Sequence, residues 1–297
     1  MNIDDGVATA VVDGIETRYG VGGSGPPLLM FSPGGFSATM AGWETHGLYR
    51  RTEMLSRLRS RFTCITFDKR ESGGSGGRVE RITWRDYVNQ GIGLLDVLDL
   101  DRVFVMGACV GCSIATVLAT GHPQRVAGLV LYSPAGGPRY RMKQHARFHA
   151  HLAYVAERGL PAVVGLATAT EAGFAEDGRV GPWVSVLRND TDFAQRYAAL
   201  DADWYLSIVT GMGRLLFDRD TVPGAEPEDL LALDIPALIV PGQDSSHAPS
   251  AARYLQECLP AARYWDVSVE AQTAETAPAR VVEFLESCGA VVSPDQA

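Results

Sequence analysis

One cysteine in this chain stands where chemistry is expected. In VFVMGACVGCSIA, Val103 to Ala115, an apolar run reaches Gly107, then Cys109, then Gly111, and continues into a helix-forming stretch. This GxCxG spacing is that of a sharp strand-to-helix elbow, with a thiol where a hydroxyl is usual. The two glycines keep bulk out of a tight turn that forces the middle residue into strained backbone geometry and holds up its side chain. Unpaired N–H groups and the positive end of the helix dipole favour a thiolate there, so Cys109 is the candidate nucleophile. The competing reading is a small buried core residue in an ordinary glycine-containing turn.

The flanking elements must position that residue. ATAVVDG and ETRYGVG alternate as an antiparallel hairpin at the amino end. PPLLMFSPGG, FTCITFD, DRVFVMG and VAGLVLYSP are continuous apolar runs, as expected of strands buried on both faces of a parallel sheet. Helical segments over 49–61, 83–98 and 112–121 lie between them. From about 139 to 231 the alternation stops and helix-like stretches follow one another; it resumes with IPALIVPG, SAARYLQECLP, ARYWDVSV and APARVVEFLES. This pattern predicts a doubly wound α/β core carrying a helical insertion that acts as a lid.

The chain has 297 residues, 46% of them hydrophobic, enough for one large core with an insertion. A net charge of -9 argues against nucleic acid or an anionic membrane surface as partner. No apolar run approaches the roughly 20 residues needed to span a bilayer, and MNIDDGVATA carries acid where a signal peptide carries base. These features point to a soluble cytoplasmic protein. The five cysteines, Cys64, Cys109, Cys112, Cys258 and Cys288, have no framework spacing and read as reduced thiols.

Elbow, insertion and strand order together resemble the α/β-hydrolase fold superfamily over nearly the whole chain. FSPGGF, 31–36, stands where that family carries its oxyanion-hole turn. TFDKRESGGSGG, 66–77, looks like its Asp-x-Arg-Gly-x-Gly-x-Ser segment. HPQRVAGLVLYSP resembles the stretch after the elbow helix, and IPALIVPGQD the strand that delivers an acid, here Asp244. The resemblance implies a mostly parallel central sheet flanked by helices, with the cap inserted after the sixth strand. The core is then 1–137 with 232–290, the cap 138–231, and 291–297 a frayed tail. It also implies roles: the N–H of Val110 as one oxyanion donor and, because Pro33 has none, that of Gly34 or Gly35 as the other.

The family's histidine usually follows the last strand, but WDVSVEAQTAETAPARVVEFL contains none. Three readings stand open. His247, three residues beyond Asp244, brings an imidazole from a different loop, since triads are defined by geometry and role. Alternatively Glu270 acts as base or Gln272 as polar partner, beside a thiolate that works unaided. In the third, hydrolysis is lost and the protein is a lyase, an isomerase or a ligand-binding relative.

Other motifs read as structural. His145 and His149 stand at i, i+4 with His151 nearby, a spacing that can bind zinc, but no carboxylate or thiol completes a set, and no metal is expected. His122 reads as structural, and His46 lies in a loop near Trp43 with no evident partner. Cys109 and Cys112 form a CxxC, in which Cys112 fits the small packing position of the elbow helix, a redox disulfide being the other reading. Asp68 and Arg70 read as ties for the glycine-rich loop ESGGSGG, which lacks the lysine of a phosphate-binding loop. The expected function is therefore a cofactor-free hydrolase or acyltransferase, attacking an ester, thioester or lactone of a small molecule through Cys109. Dienelactone hydrolases provide a precedent for a cysteine elbow in this superfamily. The cap aromatics Trp183, Phe193, Trp204, Tyr205 and Phe217 suggest a moderately apolar substrate.

Overall fold

A computed structural model describes residues 6–289. At the amino end β1 (Gly6–Val12) and β2 (Ile15–Gly22) pair antiparallel. They are joined by Asp13 and Gly14, both with positive φ, the geometry of a two-residue hairpin whose turn matches the twist of its strands. β3 (Pro27–Phe31), β4 (Thr63–Phe67), β5 (Val103–Ala108), β6 (Val126–Tyr132), β7 (Ala237–Val240) and β8 (Ala262–Tyr264) complete an eight-stranded sheet. Its order is β1-β2-β4-β3-β5-β6-β7-β8, and every pair beyond β2–β4 is parallel.

The buried runs explain the layers. Leu29, Ile65, Val105, Leu129, Leu131 and Ile239 point to one face, where they pack with helices Trp84–Val97 and Gly111–Gly121. Leu28, Met30, Cys64, Met106, Val130 and Leu238 point to the other, against Met54–Leu58 and Thr276–Gly289. The central parallel strands β3, β5, β6 and β7 are therefore apolar almost throughout, as strands covered on both faces must be.

After β6 the chain leaves the sheet for the helices Pro138–Arg158, Leu160–Ala169, Val184–Asn189, Thr191–Ala198 and Ala202–Leu216. Asp190 and Asp201 cap two of them by accepting from Phe193 N and Trp204 N. Trp183, Phe193, Tyr197 and Tyr205 pack together inside this layer. His151 is buried among them, its Nε2 2.6 Å from Tyr205 Oη and its Nδ1 3.0 Å from Arg179 O. Burial holds that imidazole down at about 4, hence neutral at physiological pH.

Several expectations are refined. The helix expected over 49–61 is two short ones, Gly47–Arg51 and Met54–Leu58, broken at Glu53, which has positive φ. The strand expected through ARYWDVSV keeps only Ala262–Tyr264. Of the five cap aromatics, Trp183, Phe193 and Tyr205 belong to the cap's own packing, and Trp204 is exposed. Phe217 alone of the five lines a cavity near the elbow. The tail 291–297 and residue 290 lie outside the described residues. Among the described residues no helix is long and apolar enough to cross a membrane.

Candidate active site

The elbow is built from steric necessity. Cys109 has φ 55°, a left-handed conformation uncommon for a residue with a side chain. A Cβ on Gly107 would lie under 3.0 Å from Gly111 O and Cys112 Cα, and one on Gly111 under 3.0 Å from Phe31 O. Both glycines are thus required for β5 to turn directly into its helix while that helix lies against β3. Cys112, fully buried, points its thiol at Gly107 O at 3.2 Å; both cysteines of the CxxC are free thiols.

The nearby N–H groups of Val110 and Gly34 both favour the Cys109 thiolate. Gly34 (φ 123°) and Gly35 (φ 61°) give the SPGG turn a path closed to most residues, and Gly35 lines the chamber beside the thiol. A carbonyl attacked by Cys109 would place its oxygen against the same donors.

The imidazole of His247 comes from the loop after β7. A parallel bridge between Gly136 and His247, with Gly136 N donating to Ser246 O at 3.0 Å, holds that loop against the end of β6. Asp244 fixes the ring: Nδ1 lies 2.9 and 2.8 Å from its two carboxylate oxygens, and Oδ1 also accepts from the N–H groups of Ser246 and His247. Nε2 is buried and among the described residues closes no hydrogen bond. The Cys109 thiolate is the charged neighbour that, with Asp244, favours a proton on the ring. Such contacts commonly tighten only around a bound substrate.

Electrostatics favour a thiolate–imidazolium pair. Burial alone would push the Cys109 thiol up, but the adjacent His247, then Val110 N–H and Gly34 N–H, outweigh it and hold the thiol below its ordinary value. Burial likewise opposes charge on His247, but the Cys109 sulfur and the Asp244 carboxylate raise it to about 10. The hydrogen bond from His247 keeps Asp244 well below the usual carboxylate range. Its side chain is 65% exposed against 18% for His247, so solvent screens the carboxylate far more than the ring.

The remaining candidates lie elsewhere. Glu270 is exposed, and its own backbone N–H with Ser268 lowers its carboxyl, which is the wrong direction for a base. Gln272 is fully buried and satisfied at both ends, Oε1 accepting from Tyr132 Oη at 2.9 Å and Nε2 donating to Pro241 O at 2.9 Å. It ties β6 to the end of β7. His145 bonds Phe217 O, His149 is exposed, and His151 serves the cap packing. Among the described residues no group of three or more His, Cys, Asp or Glu side chains is disposed around a metal position.

Cys109 and His247 open onto a chamber of ≈ 230 Å³ between sheet and cap, lined also by Gly34, Phe36, Tyr140, Gln144, Arg147 and Phe174. Sequence reasoning missed the cap residues here because nothing in a helical run marks which face looks down. It also missed His46, which borders both this chamber and a second crevice alongside Asp244, Glu270 and the outer side of His247. The Asp68 and Arg70 reading agrees with the contacts: Asp68 accepts from Met40 N, Gly74 N and Arg18, and buried Arg70 pairs with Glu71 and Glu80.

Residues 27–178 match the family model for the alpha/beta hydrolase fold. The chain belongs to the α/β-hydrolase fold family. Over 151 residues it is 29% identical to a putative non-heme haloperoxidase of Mycobacterium phage D29, covering 50% of this chain and 51% of that one. Over 128 residues it is 33% identical to a 2-hydroxymuconate semialdehyde hydrolase of Pseudomonas sp. (strain CF600), covering 42% of each. The α/β-hydrolase chain thus spans about half or less of the curated relatives it matches. Its fold is similar to the crystal structure of the enol-lactonase from Burkholderia xenovorans LB400, with TM-score 0.57 and 19% identity over 97% of this chain and 100% of that one.

Proposed function

We propose that this α/β-hydrolase cleaves an ester, thioester or lactone of a small molecule with Cys109 as nucleophile, His247 as acid and base, and Asp244 as the group that orients the imidazole. The observation that carries the reading is convergence. At one strained residue, two backbone donors and one imidazole meet a thiol whose ionisation all three favour. The names of relatives, a semialdehyde hydrolase and an enol-lactonase, support carbonyl chemistry of this kind.

The Cys109 thiolate attacks the carbonyl carbon, and the π electrons move to oxygen, which the Gly34 and Val110 N–H groups receive. Collapse of the tetrahedral adduct breaks the carbon–oxygen or carbon–sulfur bond of the ester, and His247 passes its Nε2 proton to the departing group. The product of this half is a thioester on Cys109. A water molecule then gives a proton to neutral His247 as its oxygen attacks the thioester carbon. The second collapse releases the acid and restores thiolate and imidazolium. In this reading the histidine is displaced from the loop after β8 to the loop after β7, and Gln272 fills the vacated place as a structural tie.

Mass spectrometry of intact protein quenched during turnover of p-nitrophenyl acetate tests the scheme. An acetyl adduct that maps to Cys109 and is absent from Cys109→Ala is expected. Turnover that survives Cys109→Ala would remove the assignment, and a protein that binds small molecules without turnover would point to the non-hydrolytic reading.

A further inference from the structure

Next to the chamber above Cys109 lies a narrow inner arm, a cavity with which the chamber shares Phe36, Tyr140 and Gln144 as walls. Its free volume is ≈ 20 Å³, room for one oxygen. Its walls are apolar where Ile114, Leu216 and Phe217 contribute, yet polar groups collect among them. Lys69 lines the arm and is only 5% exposed. Its ammonium donates to Arg70 O at 3.3 Å and otherwise rests on the rings of Tyr87 (4.1 Å to the centroid) and Phe36 (5.3 Å). The neighbouring carboxylates pair with Arg70, and among the described residues Lys69 forms no ion pair. Trp84 and Tyr87 line the same arm, and among the described residues the buried indole N–H of one and phenol O–H of the other have no hydrogen-bond partner.

A buried ammonium and two buried donors left unpaired each carry a desolvation cost. All three can donate, so the group that would satisfy them is an acceptor, and the ammonium selects a negative one. We infer that the arm is a carboxylate subsite: the substrate carries a carboxylate remote from its reacting carbonyl, one oxygen of which meets Lys69, with Trp84, Tyr87 and Gln144 around it. The inference rests on the proposed function only for the direction in which the substrate lies. Burial, opposed by nearby Glu71, holds the Lys69 ammonium down at about 8, and a carboxylate beside it would draw it back up. Arg147, a further cation lining the chamber, is half-buried and donates its Nε–H to Ala175 O.

Calorimetric titration of the intact protein with glutarate, which cannot be hydrolysed, and with 1,5-pentanediol as the neutral control tests this. The expected result is glutarate binding about 10-fold or more tighter than the diol, the scale of one charge-assisted hydrogen bond. Proton uptake above pH 7, read from buffer-dependent heats, should accompany it. Lys69→Met should abolish the preference, Gln144→Leu should reduce it, and Arg147→Met should leave it unchanged. Equal binding of glutarate and diol by the wild type overturns the inference, as does a preference that survives Lys69→Met or disappears with Arg147→Met. Should Lys69→Met fail to fold, Gln144→Leu and the wild-type proton uptake decide, and the absence of both overturns it. Because no turnover is measured, glutarate binding by an inactive protein would sink the catalytic scheme alone, and turnover without glutarate preference would sink the subsite alone.

Discussion

His247 Nδ1 lies 2.8 and 2.9 Å from the two carboxylate oxygens of Asp244, three residues earlier on the same loop. Imidazole and orienting acid are therefore one local unit, tethered to the sheet through the bridge from His247 to Gly136. Asp244→Asn should lower kcat by about 10- to 100-fold with KM little changed. That lies at or below the lower end of the range for acid–base assistance, because a thiolate depends on its base less than a hydroxyl does. Steady-state kinetics on p-nitrophenyl esters measures it.

Gly111→Ala should disrupt the fold as well as the site. The new Cβ would press on the backbone carbonyl of Phe31 in β3, which cannot move without shifting the sheet. A loss on the order of 3 kcal/mol in urea unfolding is expected, at the upper end for overpacking.

Gln272→Ala separates structure from chemistry. It leaves Tyr132 Oη and Pro241 O without their partner in a fully buried position, so stability should fall by about 2–4 kcal/mol. In the fraction that is folded, kcat should stay within a few-fold of wild type. Kinetics below the unfolding transition distinguish this from the polar-partner role that the sequence left open.

Much of the architecture was legible because parallel strands announce themselves as unbroken apolar runs. Leu28 to Phe31 and Val103 to Ala108 are buried on both faces and had to be written that way. The elbow was legible for a related reason: Gly107 and Gly111 are forced by close backbone approaches, and such approaches leave a glycine in the sequence. The rest depended on long-range placement. His247 faces the same chamber as Cys109 because its loop is bridged to Gly136, far earlier in the chain. Lys69 sits in a charged-looking segment, DKRES, that gives no hint of burial. The helix broken at Glu53 shows the converse limit, a left-handed residue without a glycine to mark it.

Activity should follow a bell-shaped pH profile whose limbs belong to the coupled pair. The acid limb is protonation of Cys109, held below its ordinary value, and the alkaline limb is loss of the His247 proton near pH 10. Stability is linked with the corresponding signs. The raised value of His247 contributes stability that is full below about 6.5 and is lost as pH rises through about 10. The depressed value of Cys109 contributes stability that is full above the ordinary thiol range and is lost as pH falls through the depressed value. Urea denaturation of wild type and His247→Ala across pH 5 to 11 should show a gap between them that closes toward the alkaline end.

The proposed chemistry depends on ionisation of Cys109 by His247. The rate of iodoacetamide alkylation at Cys109, followed by peptide mass mapping from pH 4 to 10 in wild type and His247→Ala, tests it most directly. The expected wild-type inflection lies below the ordinary thiol value of about 8.5 and moves upward in the variant. An inflection at or above the ordinary value in the wild type, unchanged by His247→Ala, would contradict it.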